Sequence, residues 1–318
     1  MLLFAGCSTP VGIRIADPRE VQTELTRSSL TSDEPSDFTL NELRRYDLLD
    51  TWLGDRPGAI EKLHTKAVES GLPPASLFAL AELSFLYAEA EEDHPRFAAA
   101  AIYAYALLFP EDGRPPLDPL DPRERITADL YNRALTLAFR REEDGSVTFA
   151  RTNAVFALPF GSIAIERRTD MLELDGYQLF DLRPVAEIEI RGLRNRYRGT
   201  GIGAPFAAKV KPLPGVVPVV PIGPAVRVPL TAVVLIDKPL AGIRSGDLHG
   251  RLDVFASLDT QNIEIDGRPT PLEAEPSAAL AAGLSGSKFW EKELGIFMGN
   301  AIGVRKESAL GGIRPYKP

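Results

Sequence analysis

The hydrophobic spacing of this chain changes period near residue 145, and that change limits what it can fold into. Up to that point apolar residues recur at helical intervals. The stretch "ASLFALAELSFLYAEAEE" (75–92) is apolar nearly all round, with Glu82 its one charge before Glu89. A helix without a polar face has to be buried, so this one is predicted as the centre of a bundle. After "EDGSVTFA" the apolar residues alternate instead. The period of two predicts strands, separated by Gly and Pro. The expected fold class is α+β: an N-terminal helical bundle followed by an antiparallel β-sandwich.

Helix signals surround the central segment. Ser36 and Asp37 are candidate N-caps for "FTLNELRRYDLLDTWL" (38–53), where Leu40, Leu43, Leu48 and Trp52 form one stripe. A helix is expected from Pro57 to Glu69, ended by Gly71 and Pro73–Pro74. "PRFAAAAIYAYALLFP" and "PRERITADLYNRALTLAFRRE" bring the bundle to at least five helices, and Ala98–Ala101 permit close helix approach. Between Leu77 and Pro110, Tyr87, Ala99, Tyr103, Ala106 and Pro110 fall near the small and aromatic positions of a tetratricopeptide unit, which the pair loosely resembles. A solenoid needs about three repeats and one is visible, so an ordinary bundle with an Ala-rich contact stands beside that reading.

In the second half, Val185–Arg191 reads as a strand with Ala186, Ile188 and Ile190 on one face and Glu187 and Glu189 on the other. "VRVPLTAVVLI" and "GRLDVFASL" are further strands, and Asp266–Gly267 marks a hairpin turn inside "NIEIDGRPTPLE". Pro276–Ser277 opens a return to helix, and "KFWEKELGIFMGNAIG" is a short amphipathic helix. The organisation read from these signals is a signal remnant at 1–7, a tether at 8–36, a helical domain at 37–145, a β-sandwich at 146–276, and short helices with a linker at 277–318.

Charge and cysteine content narrow the function. Residues 1–145 carry 15 basic and 26 acidic side chains, a net of −11, and the remainder a net of +3. The overall −8 argues against a nucleic-acid partner, whose phosphates need neutralising. The single cysteine, Cys7, excludes a disulfide framework. It follows Ala5 and Gly6 and precedes Ser8, the setting of the acylated cysteine in a bacterial lipobox, although Phe4 replaces the usual leucine; a chance cysteine is the alternative. Met1–Gly6 reads as the last turn of a secretory signal whose beginning is missing. Lipidation at Cys7 would anchor the chain to a membrane without spanning it.

Chemistry is sparse. His64, His94 and His249 have no second His or Cys at ligand spacing, so no metal site and no cofactor is expected, and each is read as a surface or capping residue. Gly283–Ser287 has the wrong spacing for a nucleophile elbow. Gly199, Gly201 and Gly203 follow a basic run, not the strand-to-helix context of a phosphate cradle. Glu187 and Glu189 are read as a solvated pair. Two stretches stand out. "RGLRNRYRGTGIGAPF" sets Arg191, Arg194, Arg196 and Arg198 beside Tyr197 in a Gly-rich loop, able to clamp anions or another domain, or to form salt bridges within the chain. "KPLPGVVPVVPIGPAVRVP" (211–229) is apolar and Pro-rich. It is expected as a stiff loop or edge segment, covering the core or exposing a patch.

A resemblance extends from about Val11 to Pro318. "LFALAELSFLYAE", "AAAIYAYALLFP", "ADLYNRALT", "LPFGSI", "EIRGLRNRYRGTGIGAP", "EPSAALA" and "RPYKP" resemble the N-terminal region of a family of Gram-negative lipoproteins whose C-terminal domain is an α/β-hydrolase. The resemblance implies an esterase- or lipase-like serine-hydrolase parent whose His-Gly oxyanion strand and Gly-x-Ser-x-Gly elbow would lie beyond Pro318. It assigns no catalytic residue here. What it implies is a non-catalytic region that positions or gates a hydrolase domain, anchored through Cys7 to the envelope, at the periplasmic face of the outer membrane. The rival is a stand-alone envelope lipoprotein binding a peptide, which exposed, concave Tyr87 and Tyr103 would favour.

Overall fold

A computed structural model describes residues 15–140, 145–147, 149, 154–167, 170–218, 221–223, 226–257 and 260–285. Cys7 and the segment 288–303 expected as an amphipathic helix lie outside these residues. Seven helices come first: α1 (Pro18–Leu25), α2 (Asp37–Arg45), α3 (Leu49–Gly54), α4 (Arg56–Glu69), α5 (Pro74–Glu91), α6 (His94–Leu108) and α7 (Pro122–Ala138). Strands follow as β1 (Ala154–Leu158), β2 (Gly161–Arg167), β3 (Glu173–Leu174), β4 (Tyr177–Pro184), β5 (Ala204–Pro212) and β6 (Arg227–Asp237). The helix α8 (Pro239–Ser245) then leads to β7 (Asp247–Ala256), the hairpin β8 (Asn262–Ile265) and β9 (Arg268–Pro271), and α9 (Pro276–Ser285). The chain is α+β.

The helical half follows its signals, with two differences. The stretch expected as one helix over 38–53 is two, because the chain turns at Asp47, which has φ of 55°. The stretch 8–36, expected as a tether, contains α1, which Asp17 caps at the Arg19 N–H and Pro18 begins without an unsatisfied donor. Ser28, Ser29 and Ser36 are buried. The reason is Glu82 of α5, fully buried, whose carboxylate accepts the Ser29 N–H (2.8 Å), the Ser36 N–H (3.1 Å) and the Ser36 hydroxyl (2.7 Å). A buried carboxylate needs such donors. The buried charge of α5 therefore fastens the preceding segment to the bundle.

The strand-rich half is not an antiparallel sandwich. Seven strands form one mixed sheet in the order β1-β2-β7-β6-β5-β4-β3, with β8–β9 as a separate hairpin. Strands β3 to β7 make an antiparallel meander, and the β1–β2 hairpin joins its β7 edge with β2 parallel to β7. Alternation reports which side chains share a face, not strand direction, so the parallel pair left no sequence signal. Its geometric requirement is glycine: a Cβ on Gly161 would lie 1.9 Å from the Gly246 carbonyl oxygen. Val185–Arg191 is not a strand either. β4 ends at Pro184, and Val185–Glu187 is a 3₁₀ turn. Within 211–229, Arg227–Pro229 belong to the central strand β6. Pro229 is tolerated there because pairing with β7 starts only at Leu230, so its missing N–H costs no ladder bond. Val216, Val217 and Val226 are exposed, whereas Ile222 packs against the core.

Helices and sheet share one apolar core. β6 is buried at every position from Val228 to Val234, so both its faces are covered there. The Pro229 carbonyl accepts from the Ser257 N–H on the β7 side, so Ala232, Val234 and Ile236 turn their polar groups toward β5. But β5 begins at Ala204, opposite Ala232. Beyond it the helices supply the partners. The Tyr131 hydroxyl donates to the Val234 carbonyl (2.8 Å) and accepts its N–H (2.9 Å), and the Tyr105 hydroxyl meets the Ile236 backbone. Asn132 donates to the Gly201 carbonyl (3.0 Å) and accepts the Gly203 N–H (2.6 Å). Burial holds the phenols of Tyr131 and Tyr105 above their ordinary range, so both remain neutral.

Asp181 stabilises the other side of the sheet. It occupies the irregularity between β4 and β5, with φ of 47°, and pairs with Lys209 (2.9 Å), Arg227 (2.8 Å) and Arg183 (3.0 Å). Burial pushes its carboxyl up, but hydrogen bonds from Lys209 and Arg227 and the Arg227 and Arg183 charges outweigh that and hold it at about 2.

Two predictions follow from these contacts. Tyr131→Phe leaves both Val234 backbone groups without a partner in the interior and lowers the unfolding free energy by about 2–3 kcal/mol, read as a lower urea midpoint at unchanged slope. Asp181→Asn costs about 1–2 kcal/mol at pH 7. The folded carboxyl titrates below the unfolded one, so its stabilisation is complete above about pH 4 and is lost as pH falls through 2. Urea midpoints of the two proteins should therefore converge at acid pH.

Candidate functional site

The arginine loop lies between the 3₁₀ turn and β5, over residues 188–203, and its course depends on the glycines that end it. The Gly199 N–H donates to the Ala274 carbonyl (2.8 Å) and the Ala274 N–H returns a bond to Gly199 (2.9 Å). The Ile202 N–H reaches the Pro271 carbonyl (2.9 Å). A Cβ on Gly201 would sit 2.2 Å from the Pro271 oxygen, and Gly203 has φ of 103° against Thr231 and Val233. These glycines let one backbone lie directly on another; they do not face a phosphate.

This pairing sets the arginines against two buried acids. Arg196 binds Glu275, and Arg198 binds Glu273 (2.5 Å) with Asp129 of α7 at 3.6 Å. Glu273 also accepts the Gly201 N–H (2.9 Å), while its backbone carbonyl accepts the Thr231 hydroxyl (2.5 Å). The Tyr197 N–H donates to the Ser277 hydroxyl (2.6 Å) at the start of α9. Arg191 pairs with Glu189 (2.5 Å) in solvent, and Arg194 and the Tyr197 ring are exposed. Glu187 is tied to Arg140 at 3.2 Å.

Beside the loop is a cleft of about 460 Å³ between α5, α7 and the loop. Arg133, Arg196 and Arg198 line it together with Glu89, Asp129, Glu273 and Glu275. Carboxylates outnumber guanidiniums there, so this is an internally compensated surface, not a basic trap for an anion. Burial raises the Glu89 carboxyl, opposed by Arg133 and reinforced by Asp33.

The histidines occupy other places. His64 is neither a surface nor a capping residue: its Nδ1 is 2.8 Å from the Tyr103 hydroxyl and its ring stacks on Phe160 of the β1–β2 turn at 4.9 Å. Burial lowers its pKa against the opposing charge of Glu61. His94 begins α6, with Nδ1 3.4 Å from the Ala138 carbonyl. His249 is exposed on β7, opposite Asp237. Tyr103 is 1% exposed and Tyr87 lies half-buried under the Arg96 guanidinium at 4.6 Å, so these rings do not form an open concave surface. Gly283–Ser285 end α9. Among the described residues no group of three His, Cys, Asp or Glu side chains could hold a metal, and no helix is long and apolar enough to cross a membrane.

Glu273, Glu275, Asp129 and Asn132 were not singled out in the sequence. One signal was available: Arg196-x-Arg198 and Glu273-x-Glu275 share a spacing of two, which places each pair on one side of an extended segment. No family model, curated protein or solved structure matches this chain.

Removal of Arg198 is expected to matter more than removal of its acid. Arg198→Ala leaves the buried Glu273 carboxylate without its charged partner and should cost about 3 kcal/mol, whereas Glu273→Ala takes the buried charge away, loses the bonds to Arg198 and the Gly201 N–H and leaves a half-exposed guanidinium in water, and should cost about 1–2 kcal/mol. Paired urea titrations of the two variants measure the difference.

Proposed function

We propose that this chain is a non-catalytic region that holds an α/β-hydrolase domain near the bacterial envelope. The observation that carries the reading is the clamp on the outgoing segment: Arg196 on Glu275, Arg198 on Glu273, and the Tyr197 N–H on Ser277. Together they fix the base of α9 to α7 and to the sheet, so anything continued from α9 would leave the body in a defined direction. The stretch that supplies the clamp is also the one that most specifically resembles the lipoprotein hydrolase family. In this reading Cys7 carries the lipid, the chain is exported to the periplasmic face of the outer membrane, and the parent is an esterase- or lipase-like serine hydrolase. The α5–α6 pair, joined through Glu92 and Asp93, is one tetratricopeptide-like hairpin used as core rather than as a peptide groove.

Sequencing the DNA on both sides of this reading frame tests the proposal. A frame running past Pro318 into a His-Gly strand and a Gly-x-Ser-x-Gly elbow supports it, and a stop codon directly after Pro318 overturns it. In the full-length protein, Arg196→Ala with Arg198→Ala should lower p-nitrophenyl ester turnover severalfold. The 318-residue chain alone should hydrolyse these esters no faster than buffer.

A further inference from the structure

An apolar chamber of about 130 Å³ lies between α6, α7 and the sheet, separate from the charged cleft and open to the surface beside the exposed Pro95 and Ala157. Ala101 of α6, Leu135 and Phe139 near the end of α7, Ile163 and Ile165 of β2, and Val234 of β6 form its wall. Polar atoms at the wall are already engaged. The Tyr131 hydroxyl both donates to and accepts from Val234, and His94 Nδ1 is directed at the Ala138 carbonyl. A water entering the chamber would find few of the two to four polar partners it needs, so an apolar group displaces it readily.

Protein interiors are close-packed, and voids much larger than a water molecule are few. This one persists because alanines stand where larger residues would fill it: Ala98 and Ala101 of α6 and Ala138 of α7 all face it. His94 also lines a second, polar pocket of about 220 Å³ with Glu92, Arg133 and Arg140, so the chamber's rim meets a solvated opening. A dry apolar cavity of nearly this volume is known to accept benzene or xenon.

We propose that the chamber is a binding site for a small uncharged apolar group, about the size of a benzene ring, with His94 at its mouth. An aryl ring and the end of an alkyl chain share this chemistry. The site is independent of the hydrolase reading above.

The test is a benzene titration of the full chain followed by methyl-selective NMR. Saturable shifts are expected at Leu135, Ile163, Ile165 and Val234, with the exposed Val217 methyls unmoved. Ala101→Leu, which fills the chamber, should weaken binding at least tenfold; Ala138→Leu is the second filling variant should the first not fold. Competition by hexanoate assigns the site to alkyl chains, and its failure to compete assigns it to aryl groups. No saturable shift in the wild-type chain up to the solubility of benzene overturns the proposal. So does a folded filling variant that binds as the wild type does.

Discussion

Where β5 starts beside β6, a sheet edge is left in the interior, and the rest of the structure is arranged around that edge. Val234 and Ile236 direct their backbone groups toward a strand that is no longer there. An unpaired buried peptide group costs about 1–3 kcal/mol, so an edge of this kind needs partners or exposure. Tyr131 and Tyr105 provide those partners from α7 and α6, and Asn132 does the same for Gly201 and Gly203 just before β5 starts. The helical layer is therefore hydrogen-bonded into the sheet as well as packed on it. This is why one core runs through both halves despite the abrupt change of sequence texture between them.

Two buried carboxylates extend the same logic to segments without regular structure. Glu82 gathers the residues before α2, and Glu273 gathers the arginine loop and the approach to α9. Both are buried, 0% and 2% exposed, where a charge is costly unless several donors reach it. Each therefore fixes the local path of a segment more than it adds net stability. For the loop the fixed object is the start of α9.

Helix positions were legible in the sequence because α4 to α7 combine local periodicity with Pro at the first turn, and these signals act over a few residues. The strands β6 and β7 and the Asp266–Gly267 hairpin were legible for the same reason. What was not legible depended on distant partners. The parallel docking of β2 on β7 joins residues more than 80 apart, fixed by the contact of Gly161 with Gly246. The strand pattern at Val185–Arg191 was sound as a pattern, but after Pro184 no neighbour among the described residues pairs with it, and a lone extended segment gains nothing from alternation. At the clamp, the arginines drew attention because four lie close together. Their acids did not, since Glu273 and Glu275 look like ordinary solvated residues until the loop backbone is laid against them.

The alanine tract of α6 separates two requirements that composition alone runs together. Ala99, Ala100, Ala104 and Ala106 are almost wholly buried, and such small side chains let helices approach closely. Ala98 and Ala101 instead face the chamber, where a longer side chain would gain contacts. The unfilled chamber leaves its apolar lining short of contacts that a filled core would make. Close helix packing does not account for it, because the alanines that serve packing are different ones. An apolar occupant would recover the lost contacts without altering the helix interface, and that separates a binding site from a packing fault.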